Sequence, residues 1–166
     1  MLHVAFNNLG SLYDNMGNLP KAEEFYLKSL KIRQNLFGEN HSSVATSFNN
    51  LGSLYDNMGN LLKAEEFYLK SLKIYQNLFG ENHSSVAASF NNLGSLYDNM
   101  GNLPKAEEFH LKSLKIYQNL FGENHSNVAA SFNNLGILYK KIGNRQKGEE
   151  FCLKSKKIKQ NLAGQK

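Results

Sequence analysis

The chain holds one cysteine, Cys152, and no stretch approaching the ~20 consecutive apolar residues that a membrane span needs. A single thiol excludes an internal disulfide. The opening MLHVAFNN has too short an apolar run and no charged start for a secretory leader, so a reducing, cytoplasmic setting is expected, with Cys152 as a small core residue. On that reading the NHS sequons at Asn40, Asn82 and Asn124 stay unglycosylated. There is no phosphate-binding glycine loop, no cysteine and histidine nucleophile pair and no cluster of metal-ligand spacing. The chain is therefore not expected to be an enzyme, nor to hold a metal or cofactor. Two-residue alternation and Asn-Gly hairpins are also missing, which leaves an all-α reading.

What the chain does have is a 42-residue unit written almost four times, close to SFNNLGSLYDNMGNLxKAEEFxLKSLKIYQNLFGENHSxVA. The copies are anchored at Leu9-Gly10, Leu51-Gly52, Leu93-Gly94 and Leu135-Gly136, and residues 45–86 differ from 87–128 at only four positions. Such a period marks a repeat array in which each unit buries its apolar side against its neighbours. The repeats run 1–44, 45–86, 87–128 and 129–166, read as a single domain. At 41% apolar residues the chain is no disordered segment, and a chain of 166 residues buries roughly 70% of its unfolded surface.

Within the second repeat, Phe48, Leu51, Tyr55 and Met58 recur at spacings of three and four, the stripe of an amphipathic helix over 44–58. Gly59 suits the left-handed position after that helix, and Asn60 suits the N-cap of the next. The second helix is predicted over 61–79, with Ala64, Phe67, Tyr68, Ser71, Leu72, Tyr75, Leu78 and Phe79 inward and Gly80 as terminator. Pro20 and Pro104 fall in its first turn in the flanking repeats, where a missing N–H is harmless. Gly52, inside the first helix, costs about 1 kcal/mol relative to alanine. That cost is explained by a close approach of the second helix at the small Ala64. The leucines Leu27, Leu69, Leu111 and Leu153 fall on its outer arc as half-covered edge residues.

The order Phe48, Leu51-Gly52, Tyr55, Gly59, Ala64 and Tyr68, with equivalents in all four repeats, resembles the tetratricopeptide repeat. The 42-residue length, the NNLxxLY signature and the LFGENH loop are similar to the repeats of kinesin light chains. No heptad run of the sort kinesin light chains use to bind the motor chain occurs. The resemblance implies a tetratricopeptide-type α-solenoid of four helix-turn-helix repeats wound as a right-handed superhelix. Ser71 departs from the family's usual alanine, and in the fourth repeat Gly148 and Cys152 replace the alanine and the aromatic.

The net charge of +5 is unevenly placed, since residues 1–128 carry ten Lys/Arg against twelve Asp/Glu while 129–166 carry nine against two. Leu30, Leu72 and Leu114 become Lys156, Tyr75 and Tyr117 become Lys159, and Phe37, Phe79 and Phe121 become Ala163. Polar residues are expected there if no repeat follows. A basic binding patch is the competing reading. The first repeat shows no comparable cap, and its lead-in starts part-way through.

In tetratricopeptide arrays the first helices line the concave groove. The resemblance therefore places Asn7, Asn8, Asn49, Asn50, Asn91, Asn92, Asn133 and Asn134 along it, with Ser53, Ser95, Asp56 and Asp98, and Lys140 and Lys141 at the far end. Asparagine offers donors and an acceptor, so this ladder is expected to hold the backbone of an extended peptide from a protein partner. The charge gradient selects a peptide acidic at one end and basic at the other. The function implied is an adaptor or scaffold module. The alternatives are a single-stranded RNA binder and a purely architectural, self-associating array. Nucleic acid is the lesser expectation, because Phe48 and Tyr55, which would have to stack on bases, point inward. No membrane partner is expected, and the chain is read as a monomer that can associate end to end. His41, His83 and His125 sit ~15–20 Å apart if each repeat adds two helices. That spacing excludes a shared metal and makes them loop caps.

Overall fold

In the computed structural model, which describes residues 1–164, eight helices and no strands form among the described residues. Gln165 and Lys166, the last two residues of the predicted fourth repeat, lie outside them. The helices are α1 (Leu2–Asn15), α2 (Leu19–Phe37), α3 (Ser42–Asn57), α4 (Leu61–Phe79), α5 (Ser84–Asn99), α6 (Leu103–Phe121), α7 (Ser126–Ile142) and α8 (Arg145–Ala163). They pair as four helix-turn-helix repeats. The chain divides into two compact units, Met1–Gly80 with α1–α4 and Glu81–Lys166 with α5–α8.

Local chemistry sets the helix ends. After α3 the chain turns left-handed at Gly59 (φ 74°). The Asn60 amide donates to the Tyr55 carbonyl at 2.8 Å and the Gly59 amide to Asp56 at 2.9 Å, the paired closure of a Schellman turn. Asn60 then accepts from the Lys63 amide (3.3 Å) and so begins α4 one residue after α3 has been closed. Asn18, Asn102 and Asn144 repeat the device. At the other junction the histidines act as expected: Nδ1 of His41, His83 and His125 accepts from a backbone amide two residues on, at 3.1–3.2 Å. An accepting ring nitrogen caps the following helix as a carboxylate or hydroxyl would.

Inside each repeat the two helices meet at the mid-helix glycine, though not as the sequence suggested. A methyl group on Gly52 would lie 2.6 Å from the Tyr68 ring, and on Gly10 equally close to Tyr26. It is thus the aromatic one turn beyond Ala64 that fills the space. In the fourth repeat Cys152 replaces that aromatic, its Sγ 2.6 Å from where a methyl on Gly136 would stand, and backbone also lies close. A methyl on Gly136 would come within 3.0 Å of the Gly148 carbonyl, and one on Gly148 within 2.9 Å of the Gly136 carbonyl. Gly148 and Cys152 are therefore a matched pair, and the early alanine would not fit there.

The predicted stripe of α4 holds for Ala64, Tyr68, Ser71 and Leu72, which are buried, but fails in its last turn. Leu78 and Phe79 are 38% and 43% exposed, while Ile74, which the stripe omitted, is 8% exposed. Helix α4 has 19 residues against 16 in α3, so its end runs roughly one turn past its partner. Met58 likewise leaves the stripe as the exposed C-cap of α3. Ser71 stands in place of alanine because its hydroxyl donates to the Ala45 carbonyl at 2.8 Å, joining α4 to α3.

Successive repeats within a unit are joined through buried surfaces and through polar links, among them one from a tyrosine to a glutamate. The Tyr55 hydroxyl donates to Glu23 in unit 1, and the Tyr139 hydroxyl to Glu107 in unit 2. Burial first, and then the Glu23 carboxylate, push the Tyr55 phenol up to about 12. In unit 2 the core gathers Leu114, Val128, Ala129, Phe132, Leu135, Tyr139 and Ile158. Lys156, Lys159 and Ala163 of α8 are exposed. Leu27, Leu69 and Leu111 are 40–42% exposed, half-covered as expected, whereas Leu153 is 67% exposed.

Candidate functional site

The polar arc of the first helices comes from their own period. With Phe48, Leu51, Leu54 and Tyr55 buried, Asn49, Asn50, Ser53 and Asp56 emerge on the opposite side, half-buried. In unit 1, α1 and α3 present Asn7, Asn8, Asn49, Asn50, Ser53 and Asp56, with Asn8 exposed. In unit 2, α5 and α7 present Asn91, Asn92, Ser95, Asp98, Asn133, Asn134, Lys140 and Lys141, with Ser95 and both lysines exposed.

The amides do not all face a ligand. Asn50 Nδ2 donates to Asn7 Oδ1 at 2.9 Å, and Asn134 Nδ2 to Asn91 Oδ1 at 2.8 Å. Each bond ties one first helix to the next and fixes both amide planes. It leaves Nδ2 of Asn7 and Asn91, and Oδ1 of Asn50 and Asn134, outside the bond. Two turns further along, Asn57 Nδ2 donates to Asp14 (3.3 Å). In the fourth repeat Lys141 takes the place of that asparagine, and its ammonium pairs with Asp98 at 2.6 Å. Lys141 is thus partly neutralised from within, while Lys140 beside it has no ion pair among the described residues.

Two shallow depressions open on this face in unit 2. One of about 190 Å³ is lined by Ser95, Asp98, Asn99, His110, Asn134 and Ile137. The other, of about 110 Å³, lies among Ala88, Asn91, Asn92, Tyr117, Asn127, Ala130 and Ser131. His110 stands where the first two repeats have Tyr26 and Tyr68, and its Nδ1 lies 3.2 Å from Asn91 Oδ1. Burial holds its pKa below the ordinary histidine value, and the Asp98 carboxylate opposes the shift.

Sequence reasoning missed Arg33. This guanidinium is 8% exposed, with Nη1 donating to the Ser43 carbonyl at 3.0 Å and to Ser47 Oγ at 2.8 Å. Burial holds its pKa below the usual value. The signal was available as a break in the repeat, because the equivalent positions are Tyr75 and Tyr117. Among the described residues no group of histidine, cysteine and carboxylate side chains is arranged to hold a metal, and no helix is long and apolar enough to cross a membrane.

The crystal structure of BtubC (BKLC) from P. vanneervenii superposes with a TM-score of 0.88 at 34% identity, over 98% of this chain and 65% of that one. This chain thus spans just under two thirds of that protein's length. A putative kinesin light chain of Podosopora anserina with nearly identical repeats superposes with a TM-score of 0.80 at 22% identity, over 95% of this chain and 74% of that one, and shares the fold. No curated protein matches the sequence. The tetratricopeptide repeat family model matches residues 2–77, 43–119 and 85–160, which together cover nearly the whole chain. Four hairpins with the glycine contact, the Schellman turn and the asparagine cap in each, matched along their length by that family, place this chain among the tetratricopeptide repeat proteins.

Proposed function

We propose that the chain is a non-catalytic adaptor of the cytoplasm whose first-helix faces hold an extended peptide segment of a partner protein. The observation that carries this reading is the fixed amide pair. Asn7 with Asn50, and Asn91 with Asn134, each leave one donor and one acceptor in a set orientation. A peptide backbone presents one N–H and one C=O per residue, so a rung of this kind matches it whatever the side chains. Because the rung is already ordered, little side-chain entropy is lost on binding. Asp14 and Asp56 in unit 1 and Lys140 in unit 2 supply opposite charges for side-chain preference.

Selection of displayed peptides on the wild-type chain, followed by titration against variants, tests the proposal. Asn8→Arg and Ser95→Arg alter exposed positions and leave the internal amide bonds intact. Each is expected to weaken a selected peptide at least about tenfold, roughly the loss of one good polar contact plus a steric block. Unchanged affinity in both variants would refute the site.

A further inference from the structure

Arg33 is a cation with no anion. Among the described residues no carboxylate pairs with it; Nη1 is held by two neutral oxygens, and Nε is buried without a partner. A buried guanidinium normally keeps a carboxylate or phosphate beside it, because desolvation penalises an unpaired charge. Its place in the repeat shows where an anion would enter. Tyr117, 84 residues on, stands in the wall of the 110 Å³ depression with Asn91, Asn92, Asn127, Ala130 and Ser131. The equivalents in unit 1 are Asn7, Asn8, Ser43, Thr46 and Ser47, and Arg33 bonds to two of them. The guanidinium therefore lies at the floor of the first-helix face, beneath the Asn7 and Asn8 positions.

A second substitution accompanies it. His3 occupies the position of Ala45, Ala87 and Ala129, and its Nδ1 is also buried without a partner. Burial first, then the N-terminal ammonium and the Arg33 charge, hold its pKa below the ordinary histidine value. Two of the first repeat's departures from the others thus each bring a buried nitrogen without a partner.

We propose that Arg33 binds an oxyanion group, a carboxylate or a phosphate, on the peptide that lies along α1 and α3. The inference rests on the peptide reading above and adds the chemistry of one ligand side chain. A guanidinium fork matches either group through two parallel N–H donors. At positions 75 and 117 a tyrosine stands instead, and at 159 an exposed lysine, so the buried guanidinium belongs to the first repeat.

The chain has two arginines, Arg33 and Arg145, so its Nε–Hε region in a nitrogen–proton correlation spectrum holds two signals. Three capped pentapeptides serve as probes: glycine and serine around a central glutamate, the same with glutamine, and the same with phosphoserine. The Arg33 signal should move saturably with the glutamate or phosphoserine peptide. The glutamine peptide should bind at least about tenfold more weakly. Movement with glutamate alone, or with phosphoserine alone, identifies the natural group. Arg33→Tyr, which installs the residue of the second and third repeats, should abolish the preference while keeping the helical spectrum.

If the backbone amides of Asn7 and Asn8 shift while Arg33 stays still, the peptide face survives and the oxyanion assignment fails. Equal movement of Arg33 and the exposed Arg145 would also overturn it, as the mark of diffuse charge attraction. Silence along α1 and α3 with all three peptides would count against both readings.

Discussion

Tyr68 lies against Gly52 so closely that the smallest side chain would collide with it, at 2.6 Å from the ring edge. Gly52→Ala should regain about 1 kcal/mol of helix propensity but incur an overpacking cost of about 1–3 kcal/mol. Because a buried tyrosine ring cannot withdraw, a net loss of stability is expected in urea titration. The glycine was legible as a point of approach, since nothing else justifies it in mid-helix. Its partner was not, because Ala64 and Tyr68 share one stripe and only the ring's reach decides between them. His110 gives a residue-scale pH effect. Its folded pKa is lowered, so the neutral form is favoured and the stability is fully present above the unfolded value of about 6.5. As the pH falls below that, the unfolded chain takes up the proton first and stability is lost until the folded residue also protonates. His110→Tyr, restoring the residue of the first two repeats, should remove this loss in thermal melts across the acid range.

At the scale of the element, both ends of α4 were readable because the chain marks them chemically. Asn60 begins the helix and Gly80 ends it, and the observed span Leu61–Phe79 follows. Asn60→Ala removes the acceptor for the Lys63 amide, and about 1 kcal/mol of stability should go with it, as read by chemical denaturation. What periodicity does not reveal is where a neighbouring helix stops, which is why Leu78 and Phe79 were assigned inward and Ile74 was not. The Tyr55–Glu23 link was equally out of reach, since it depends on how one repeat is rotated against the next. Tyr55→Phe keeps the ring and loses this bond, and is expected to cost about 1 kcal/mol.

For the molecule as a whole, fold class and repeat number follow from a single period, and the polar arc follows from the helical wheel. The arc's inner organisation does not, because Asn7 and Asn50 lie 43 residues apart and meet only when adjacent repeats are in register. The same register turns Lys141 from a ligand-facing charge into the partner of Asp98. Charge is also divided by unit. Residues 1–80 carry seven Lys/Arg and seven Asp/Glu, and the remainder, with twelve against seven, holds the whole excess of +5. The aromatics that single-stranded RNA would need are turned inward, with Phe48 and Tyr55 at 8% and 4% exposure. Any RNA retention on filters should therefore be weak and vanish with added salt.

Photo-crosslinking decides most directly whether the first-helix faces are the binding surface. A photoreactive phenylalanine analogue at Asn8 or Ser95, and for contrast at Leu69 or Leu111 on the outer side of the second helices, is irradiated with a selected peptide. Labelling from Asn8 and Ser95 alone is the predicted result. Labelling from Leu69 or Leu111, with the first-helix positions silent, would contradict it.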